Sequence, residues 1–171
     1  KKSCIPMQFN VEYIRAEAKR LCRRPLNENK GDITMIKLIV GLKGTGKTKT
    51  LIADVNKAAE ESKGSVVCIE FGRKLNYEIK PQARLIDAKE FGVANADSLY
   101  GFVCGILAGN YDVTDLFIDS ALKICGEGEE AVSDFEKFMI AFDNVADKNI
   151  NIVITASIEE AKLPESLRKF L

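Results

Sequence analysis

The chain has 171 residues, of which 46% are apolar and 29% are charged, with 25 basic and 25 acidic side chains. This balance fits one globular domain with a modest appendage, and a net charge of zero favours neither nucleic acid nor membrane as a partner. Five cysteines without C-x-x-C spacing and the absence of histidine exclude a histidine base and argue against a zinc site or a disulfide framework.

Residues 1–34 differ in charge from the rest of the chain. They hold eight basic and four acidic side chains, which leaves a net charge of −4 on residues 35–171. Asn10 caps a predicted amphipathic helix over about 11–24, Pro25 stops it, and a polar linker follows. We therefore divide the chain into a basic helix with its linker, 1–34, and a second domain, 35–171. The basic helix is a candidate contact for nucleic acid, although a solvated surface helix explains the same pattern.

From residue 35 onward, strands alternate with helices. The predicted strands are 35–40, 65–71, 83–87, 112–119 and 149–157. The predicted helices are 47–62, 98–108, one with a capping box of Ser133 and Glu136, and a short one from about Pro164. Gly101 and Gly105 lie four apart and suggest close packing against another backbone. The alternation predicts an α/β fold with a mainly parallel sheet of about five strands, covered by helices on both faces.

The segment GLKGTGKT, residues 41–48, follows the first strand and opens the first helix. It matches G-x-x-x-x-G-K-[ST] without a mismatch. The glycines let backbone N–H groups turn toward the phosphates of a nucleotide, and the helix N-terminus faces the same anion. Lys47 reaches the β- and γ-phosphates, and the Thr48 hydroxyl is a Mg²⁺ ligand. The predicted nucleotide-binding residues are Gly41, Leu42, Lys43, Gly44, Thr45, Gly46, Lys47, Thr48 and Lys49.

An acid at the tip of a neighbouring strand is expected to complete the metal site. Asp119 ends the apolar run LFID and is predicted to hold Mg²⁺ through its water shell. Asp87, which ends RLID, is the weaker competitor. The predicted metal ligands are therefore Thr48 and Asp119.

A hydrolase also needs a residue that orients the attacking water. Ser120 follows Asp119 where many P-loop ATPases have a glutamate, and this weakens the case for fast hydrolysis. Glu70, at the end of the second strand, is the substitute candidate, and the acids of loop 127–130 are another. The predicted catalytic residues are Lys47, Glu70 and Asp119.

Two further groups of polar residues are candidates for sensing or stabilising phosphate charge. Thr155 or Ser157, at the tip of the last strand, would sense a γ-phosphate or simply cap the next helix. The candidate charge-stabilising arginines are Arg73, Arg84 and Arg168.

From Met35 to Leu171, about four-fifths of its length, the chain resembles a family of small, mostly uncharacterised bacterial ATP-binding proteins of the P-loop superfamily. The resemblance rests on MIKLIVGLKGTGKTKTLI, AAEESKGSVVCIE, SLYGFVCGILAGNYDVTDLFIDSALKI and NINIVITAS. It implies a three-layer P-loop NTPase fold and ATP binding. Members typically begin at a methionine matching Met35, so 1–34 lies outside the resemblance. Some members carry a twitching-motility ATPase label, which does not transfer because this chain lacks the histidine-containing boxes of those motors.

Three functions fit these residues. The first is a Mg·ATP-binding protein with slow or partner-activated hydrolysis, an ATPase of the additional-strand type acting as a switch or small motor subunit. The second is a non-catalytic nucleotide-sensing module that binds a protein or nucleic acid. The third is a small kinase or a corrinoid adenosyltransferase, although no arginine-rich lid is present. The absence of an Asn/Thr-Lys-x-Asp run favours ATP over GTP.

The expected cellular compartment and partners are inferred from two types of segment that the sequence does not contain. No apolar run approaches ~18 residues and no signal-peptide core is present. We therefore expect a cytoplasmic protein that does not enter a membrane, with a homo-oligomer or a protein partner left open.

Overall fold

The computed structural model describes residues 36–128, 130–147 and 149–171, and the predicted N-terminal helix lies outside these ranges. Within them, five parallel strands form one sheet in the order β1-β5-β4-β2-β3. The strands are β1 (Ile36–Val40), β2 (Ser65–Glu70), β3 (Ala83–Asp87), β4 (Val113–Ile118) and β5 (Asn151–Ala156). The predicted α/β fold with a parallel sheet is confirmed.

Four α-helices connect the strands in the described part of the chain. They are α1 (Lys47–Glu61), α2 (Ala96–Gly109), α3 (Ala121–Cys125) and α4 (Glu130–Asp143). Three short 3-10 helices, Ala88–Phe91, Glu160–Lys162 and Glu165–Phe170, complete the set. None of these helices is long and apolar enough to cross a membrane.

The predicted capping box of Ser133 and Glu136 is wrong. Helix α4 already begins at Glu130, so Ser133 lies inside it. Ala131 is buried, and the Glu130 carboxylate in the first turn favours a helix start there. A reciprocal capping box is found instead at α2, between Asn95 and Ser98.

Helices cover both faces of the sheet and give two hydrophobic cores. The smaller core joins α1 to one face through Leu51, Val55, Cys68, Phe117 and Val153. The larger core joins α2, α3 and α4 to the other face, with Leu99, Val103, Phe135, Phe138 and Phe142 at its centre. Because strands β2, β4 and β5 are covered on both sides, each contains at least three consecutive apolar residues, 66–69, 116–118 and 152–154.

The connection from β2 to β3 is a long loop, residues 71–82, held against α1. The Asn56 side chain of α1 donates to Glu78 O at 2.7 Å and accepts from Lys80 N at 2.8 Å. Leu75 from the same loop is buried in the smaller core. These contacts fix the path of the chain directly after Glu70.

Cys68, Cys104 and Cys125 are buried and form no disulfide among the described residues. The predicted burial of Cys68 and Cys104 in the core is confirmed. Burial raises the pKa of Cys125 to about 12 and also raises the pKa of Cys68.

The described residues do not make the close backbone approach expected at Gly101 and Gly105. A Cβ added at either position would meet none of their atoms within 4 Å. Gly64 has the close approach instead, because an added Cβ would overlap the Asp112 carbonyl oxygen and the Thr114 side chain.

We therefore expect Gly64→Ala to lower the free energy of unfolding by about 1–3 kcal/mol, since a backbone carbonyl must move to admit the methyl group. Gly105→Ala is the matched control, and it should raise stability by about 0.5–1 kcal/mol because it removes an exposed glycine from a helix interior. Urea unfolding of both variants measures the difference. Equal stability of the two variants would contradict the close approach at Gly64.

Candidate functional site

The loop between β1 and α1 depends on glycine. Gly41, Gly44 and Gly46 have φ values of +150°, +90° and +88°, which side chains disfavour. A Cβ at Gly41 would also lie 2.7 Å from Thr45 Oγ1. The loop is joined to the chain after β5 by a hydrogen bond of 2.9 Å from Gly41 N to Ile158 O.

Helix α1 begins at this loop with an uncapped N-terminus. Gly46 occupies the N-cap position without a side-chain hydrogen bond, and the first turn contains no acidic residue. Its free N–H groups and its dipole therefore favour an anion at this end.

The Lys47 side chain folds back into the loop and is largely buried. Its ammonium donates to Gly41 O at 2.7 Å, Leu42 O at 2.8 Å and Thr45 Oγ1 at 3.4 Å. Burial lowers the pKa of Lys47, while the negative charge of Asp119 opposes that shift. The Lys47 ammonium is thus surrounded by protein oxygens. The oxygens of an anion bound in the loop would accept hydrogen bonds from the ammonium in the same way.

Asp119, directly after β4, is the centre of a hydrogen-bond network. Its Oδ1 accepts from Thr48 Oγ1 and from Thr155 Oγ1, both at 3.0 Å, and its Oδ2 accepts from Ser120 Oγ at 2.9 Å. Strand β4 is not the immediate neighbour of β1, since β5 lies between them. The contact with Thr48 nevertheless brings the two predicted metal ligands together.

Four polar side chains line up across the carboxyl ends of the strands. The strand register pairs Glu70 with Asp87, and the neighbouring pairs place Asp119 beside Glu70 on one side and Thr155 on the other. All four are buried on the α1 face, and we call them the polar row. The order of the strands makes Asp87–Glu70–Asp119–Thr155 the order of the row.

Glu70 is 1% exposed, and only one of its two carboxylate oxygens accepts hydrogen bonds from the described residues. Its Oε2 accepts from Lys74 N at 2.6 Å and from Leu75 N at 3.0 Å, which fixes the start of loop 71–82. Its Oε1 has no hydrogen-bond partner among the described residues. The free oxygen leaves Glu70 able to accept a proton or a hydrogen bond beside Asp119.

Asp87, the competing candidate for the metal ligand, accepts hydrogen bonds from backbone N–H groups instead. Its Oδ1 accepts from Gly72 N at 2.9 Å and from Lys89 N at 3.0 Å. The whole of strand β2 separates it from Asp119. The geometry therefore favours Asp119 as the partner of Thr48.

Ser120 combines an unusual backbone with two hydrogen bonds. Its φ of +56° lies in the left-handed region, which is uncommon for a residue other than glycine. Its hydroxyl is bound to Asp119, and its N–H donates to Thr155 Oγ1 at 2.8 Å. Such strain is held in place by the surrounding bonds and is found most often at functional sites.

Of the two candidates at the tip of β5, only Thr155 belongs to the network. Its hydroxyl donates to Asp119 and accepts from the N–H of Ser120. In this structure the hydroxyl therefore holds protein groups together and is not directed at a γ-phosphate. Ser157 is exposed.

The remaining candidates lie at the surface. Arg73 pairs with Glu90 and Arg168 pairs with Glu165, whereas Arg84 is exposed on β3. Leu42, Lys43 and Lys49 are exposed around the glycine loop, and Glu127 and Glu130 are exposed before α4.

The oxygen ligands at this site suit a hard cation that is bound together with an anion. The described residues contain no group of three or more acidic, cysteine or histidine side chains that could hold a metal alone. A Thr48 hydroxyl and an Asp119 carboxylate are oxygen ligands of the kind that Mg²⁺ takes while it keeps waters and phosphate oxygens.

Sequence reasoning placed Asp119, Glu70 and Asp87 at strand ends but missed how they are used. The hydrogen bonds among Asp119, Ser120 and Thr155 depend on the strand order, which no local pattern reveals. The available signal was a polar residue at the end of four successive apolar strands.

Thr155→Val should remove the donor to Asp119 and leave Ser120 N–H without its acceptor. We expect the free energy of unfolding to fall by about 1–3 kcal/mol, the cost of an unsatisfied buried group. Thr155→Ser keeps both hydrogen bonds and should lose about 1 kcal/mol or less, for one methyl group. Denaturant unfolding compares the two, and a valine variant as stable as the serine variant would refute the role of the hydroxyl.

Comparison with known proteins adds no assignment to this geometry. No protein-family model matches the chain. No curated protein matches it either.

Proposed function

We propose that this protein binds Mg·ATP through the glycine loop and hydrolyses it slowly or when a partner activates it. The observation that carries the proposal is the 3.0 Å hydrogen bond between Thr48 Oγ1 and Asp119 Oδ1. This bond joins Thr48, which the glycine-loop motif predicts as a Mg²⁺ ligand, to Asp119. The position of Asp119 at a strand end predicts it independently as a ligand of the same cation.

The phosphates would be held by the loop and by the start of α1. Lys47 would exchange its bonds to Gly41 O and Leu42 O for bonds to phosphate oxygens, and the uncapped helix end adds N–H donors. Thr48 and Asp119 would hold Mg²⁺, which supplies positive charge to the phosphates. The remaining nucleotide-binding candidates surround the loop as exposed residues.

The strand order supports an ATPase of the additional-strand type. Strand β5 lies between the strand that leads into the glycine loop and the strand that leads into Asp119. The resemblance to small bacterial ATP-binding proteins of the P-loop superfamily points to the same nucleotide.

The surroundings of Asp119 argue for slow turnover. The residue after Asp119 is Ser120, which offers no carboxylate to activate water and is itself bound to Asp119. Glu70 Oε1 is a carboxylate oxygen of the polar row that has no hydrogen-bond partner among the described residues, but Glu70 is deeply buried. Water would have to reach this atom before Glu70 acts as a base.

A second candidate function is a nucleotide sensor that does not hydrolyse ATP. It is favoured by the tether of Glu70 Oε2 to the backbone of Lys74 and Leu75, which holds this carboxylate in a structural contact. In a sensor, Thr48 and Asp119 would report bound nucleotide through Thr155 and Ser120 without chemistry.

Lys47→Ala should weaken ATP binding at least tenfold, because the ammonium in the loop is lost. Isothermal titration calorimetry with Mg·ATP measures the affinity, and Lys63→Ala, which removes an exposed lysine after α1, is the matched control. Unchanged affinity in Lys47→Ala would refute the phosphate-loop assignment. With labelled γ-phosphate, release above the Lys47→Ala background supports the ATPase, and bound, uncleaved ATP supports the sensor.

Asp119→Asn should weaken the dependence of ATP binding on Mg²⁺ while the fold stays intact. Asparagine keeps an oxygen that accepts from Thr48 but removes the negative charge that attracts the cation. Asp87→Asn, in the same polar row, is the control and should leave the Mg²⁺ dependence unchanged. ATP titrations over a range of Mg²⁺ concentrations, with circular dichroism to check the fold, test both. The reverse result would assign the metal to β3.

A further inference from the structure

The chain directly after β2 is held in place by a buried carboxylate. Residues 71–75 begin loop 71–82, and we call them the loop start. Lys74 N and Leu75 N donate to Glu70 Oε2 at 2.6 Å and 3.0 Å. Hydrogen bonds to a carboxylate are stronger than those to a neutral acceptor, so Glu70 contributes much of what fixes the loop start.

The loop start is also strained. Gly72 and Arg73 follow one another with φ values of +99° and +50°, and a left-handed backbone is unfavourable for arginine. Asp87 Oδ1 accepts from Gly72 N at 2.9 Å, and Glu70 holds the N–H groups of the two residues after Arg73. A conformation of this kind persists because the surrounding bonds maintain it, so weakening these bonds would allow the backbone to relax.

Glu70 has a second oxygen that these contacts do not use. Its Oε1 is without a hydrogen-bond partner in the described ranges, although the residue is 1% exposed. An unsatisfied buried carboxylate oxygen carries an energetic cost that a cation or a hydrogen-bond donor would relieve. The carboxylate is therefore bound through one oxygen to the loop start and can bind a ligand through the other.

The neighbour of Glu70 in the polar row is Asp119, the predicted Mg²⁺ ligand. Their strands pair in parallel, and Asp119 N donates to Ile69 O at 2.8 Å, which fixes the two acids side by side. Burial and the negative charges of Asp119 and Glu70 together raise the pKa of the Cys68 thiol, so both carboxylates lie near one side chain. A cation held by Thr48 and Asp119 would attract Glu70 Oε1, because opposite charges interact strongly where water is excluded.

We propose that Glu70 couples the binding of Mg·ATP to the release of the loop start. The inference rests on the function proposed above, since it requires a cation at Asp119. Glu70 turns its Oε1 toward that cation, and the bonds from Lys74 N and Leu75 N to its Oε2 weaken as a result. The loop start then leaves its left-handed conformation, while Asn56 keeps the far part of the loop on α1.

Hydrogen exchange of backbone amides in the full chain, followed by NMR, measures the release directly. Addition of Mg·ATP should speed the exchange of the Lys74 and Leu75 amides about tenfold or more, the worth of a hydrogen bond to a charged group. It should also slow the exchange of the amides of the glycine loop, residues 41–48, which reports that nucleotide is bound. ATP with a chelator in place of Mg²⁺ should leave the Lys74 and Leu75 amides protected, because the cation is absent.

Glu70→Gln tests the role of the charge. Glutamine keeps an oxygen that accepts from Lys74 N and Leu75 N but lacks the negative charge that a cation attracts. At a concentration of Mg·ATP that protects the glycine loop of this variant, the exchange of the two amides should stay unchanged. Asp87→Asn is the matched control, because Asp87 also holds the loop start but is separated from Asp119 by β2, and it should keep the response of the unmodified protein.

Two variants of Arg73 test the coupling in the reverse direction. Arg73→Gly and Arg73→Ala both remove the ion pair with Glu90, but only glycine relieves the strain of the positive φ. Coupling is reciprocal, so a loop start that is held more firmly must lower the affinity for nucleotide. By calorimetry, the glycine variant should bind Mg·ATP about two- to fivefold more weakly than the alanine variant.

The possible failures can be told apart. Unchanged exchange of the Lys74 and Leu75 amides while the glycine loop becomes protected would overturn the coupling and leave ATP binding in place. An equal increase in Glu70→Gln and in the unmodified protein would also overturn it, because the charge of Glu70 would not be needed. No protection of the glycine loop at any concentration of Mg·ATP would overturn the proposed function, and this inference with it.

Discussion

The site is organised around one buried carboxylate that must be hydrogen-bonded. Asp119 satisfies this need with hydroxyl groups from α1, from β5 and from its own neighbour, Ser120. Its backbone N–H also donates to Ile69 O in β2 at 2.8 Å. Because an unpaired buried charge is costly, the register of three strands and the position of α1 are tied to this residue.

At the N-terminus of α1, on the other side of the site, the backbone N–H groups have no stabilising side-chain partners. Helix α1 lacks a side-chain cap and an acidic first turn, and its loop uses three glycines with positive φ. A cap would stabilise the free protein by about 1 kcal/mol but would occupy the N–H groups. Leaving them free lowers the stability of this end and keeps donors available for an anion.

The sequence predicted the elements far better than their arrangement. Strand β3 and the start of α1 were placed correctly because apolar periodicity and the glycine motif are local signals. The start of α4 was misplaced because the buried Ala131 outweighed the capping pattern at Ser133. The role of Thr155 could not be predicted, since it requires that β5 lie between β1 and β4. Nothing in the local sequence encodes that order.

The polar row also links the candidate nucleotide site to loop 71–82. Glu70 and Asp87 use their carboxylates to hold Gly72, Lys74 and Leu75, so they shape the loop that carries Arg73 and Lys74. Asp119 and Glu70 are neighbours in the row, and a cation at Asp119 would draw the free Glu70 Oε1 toward it. Movement of that carboxylate would pull on the backbone N–H groups bound to Oε2. A change of charge at the glycine loop thus has a short physical path to the backbone of loop 71–82.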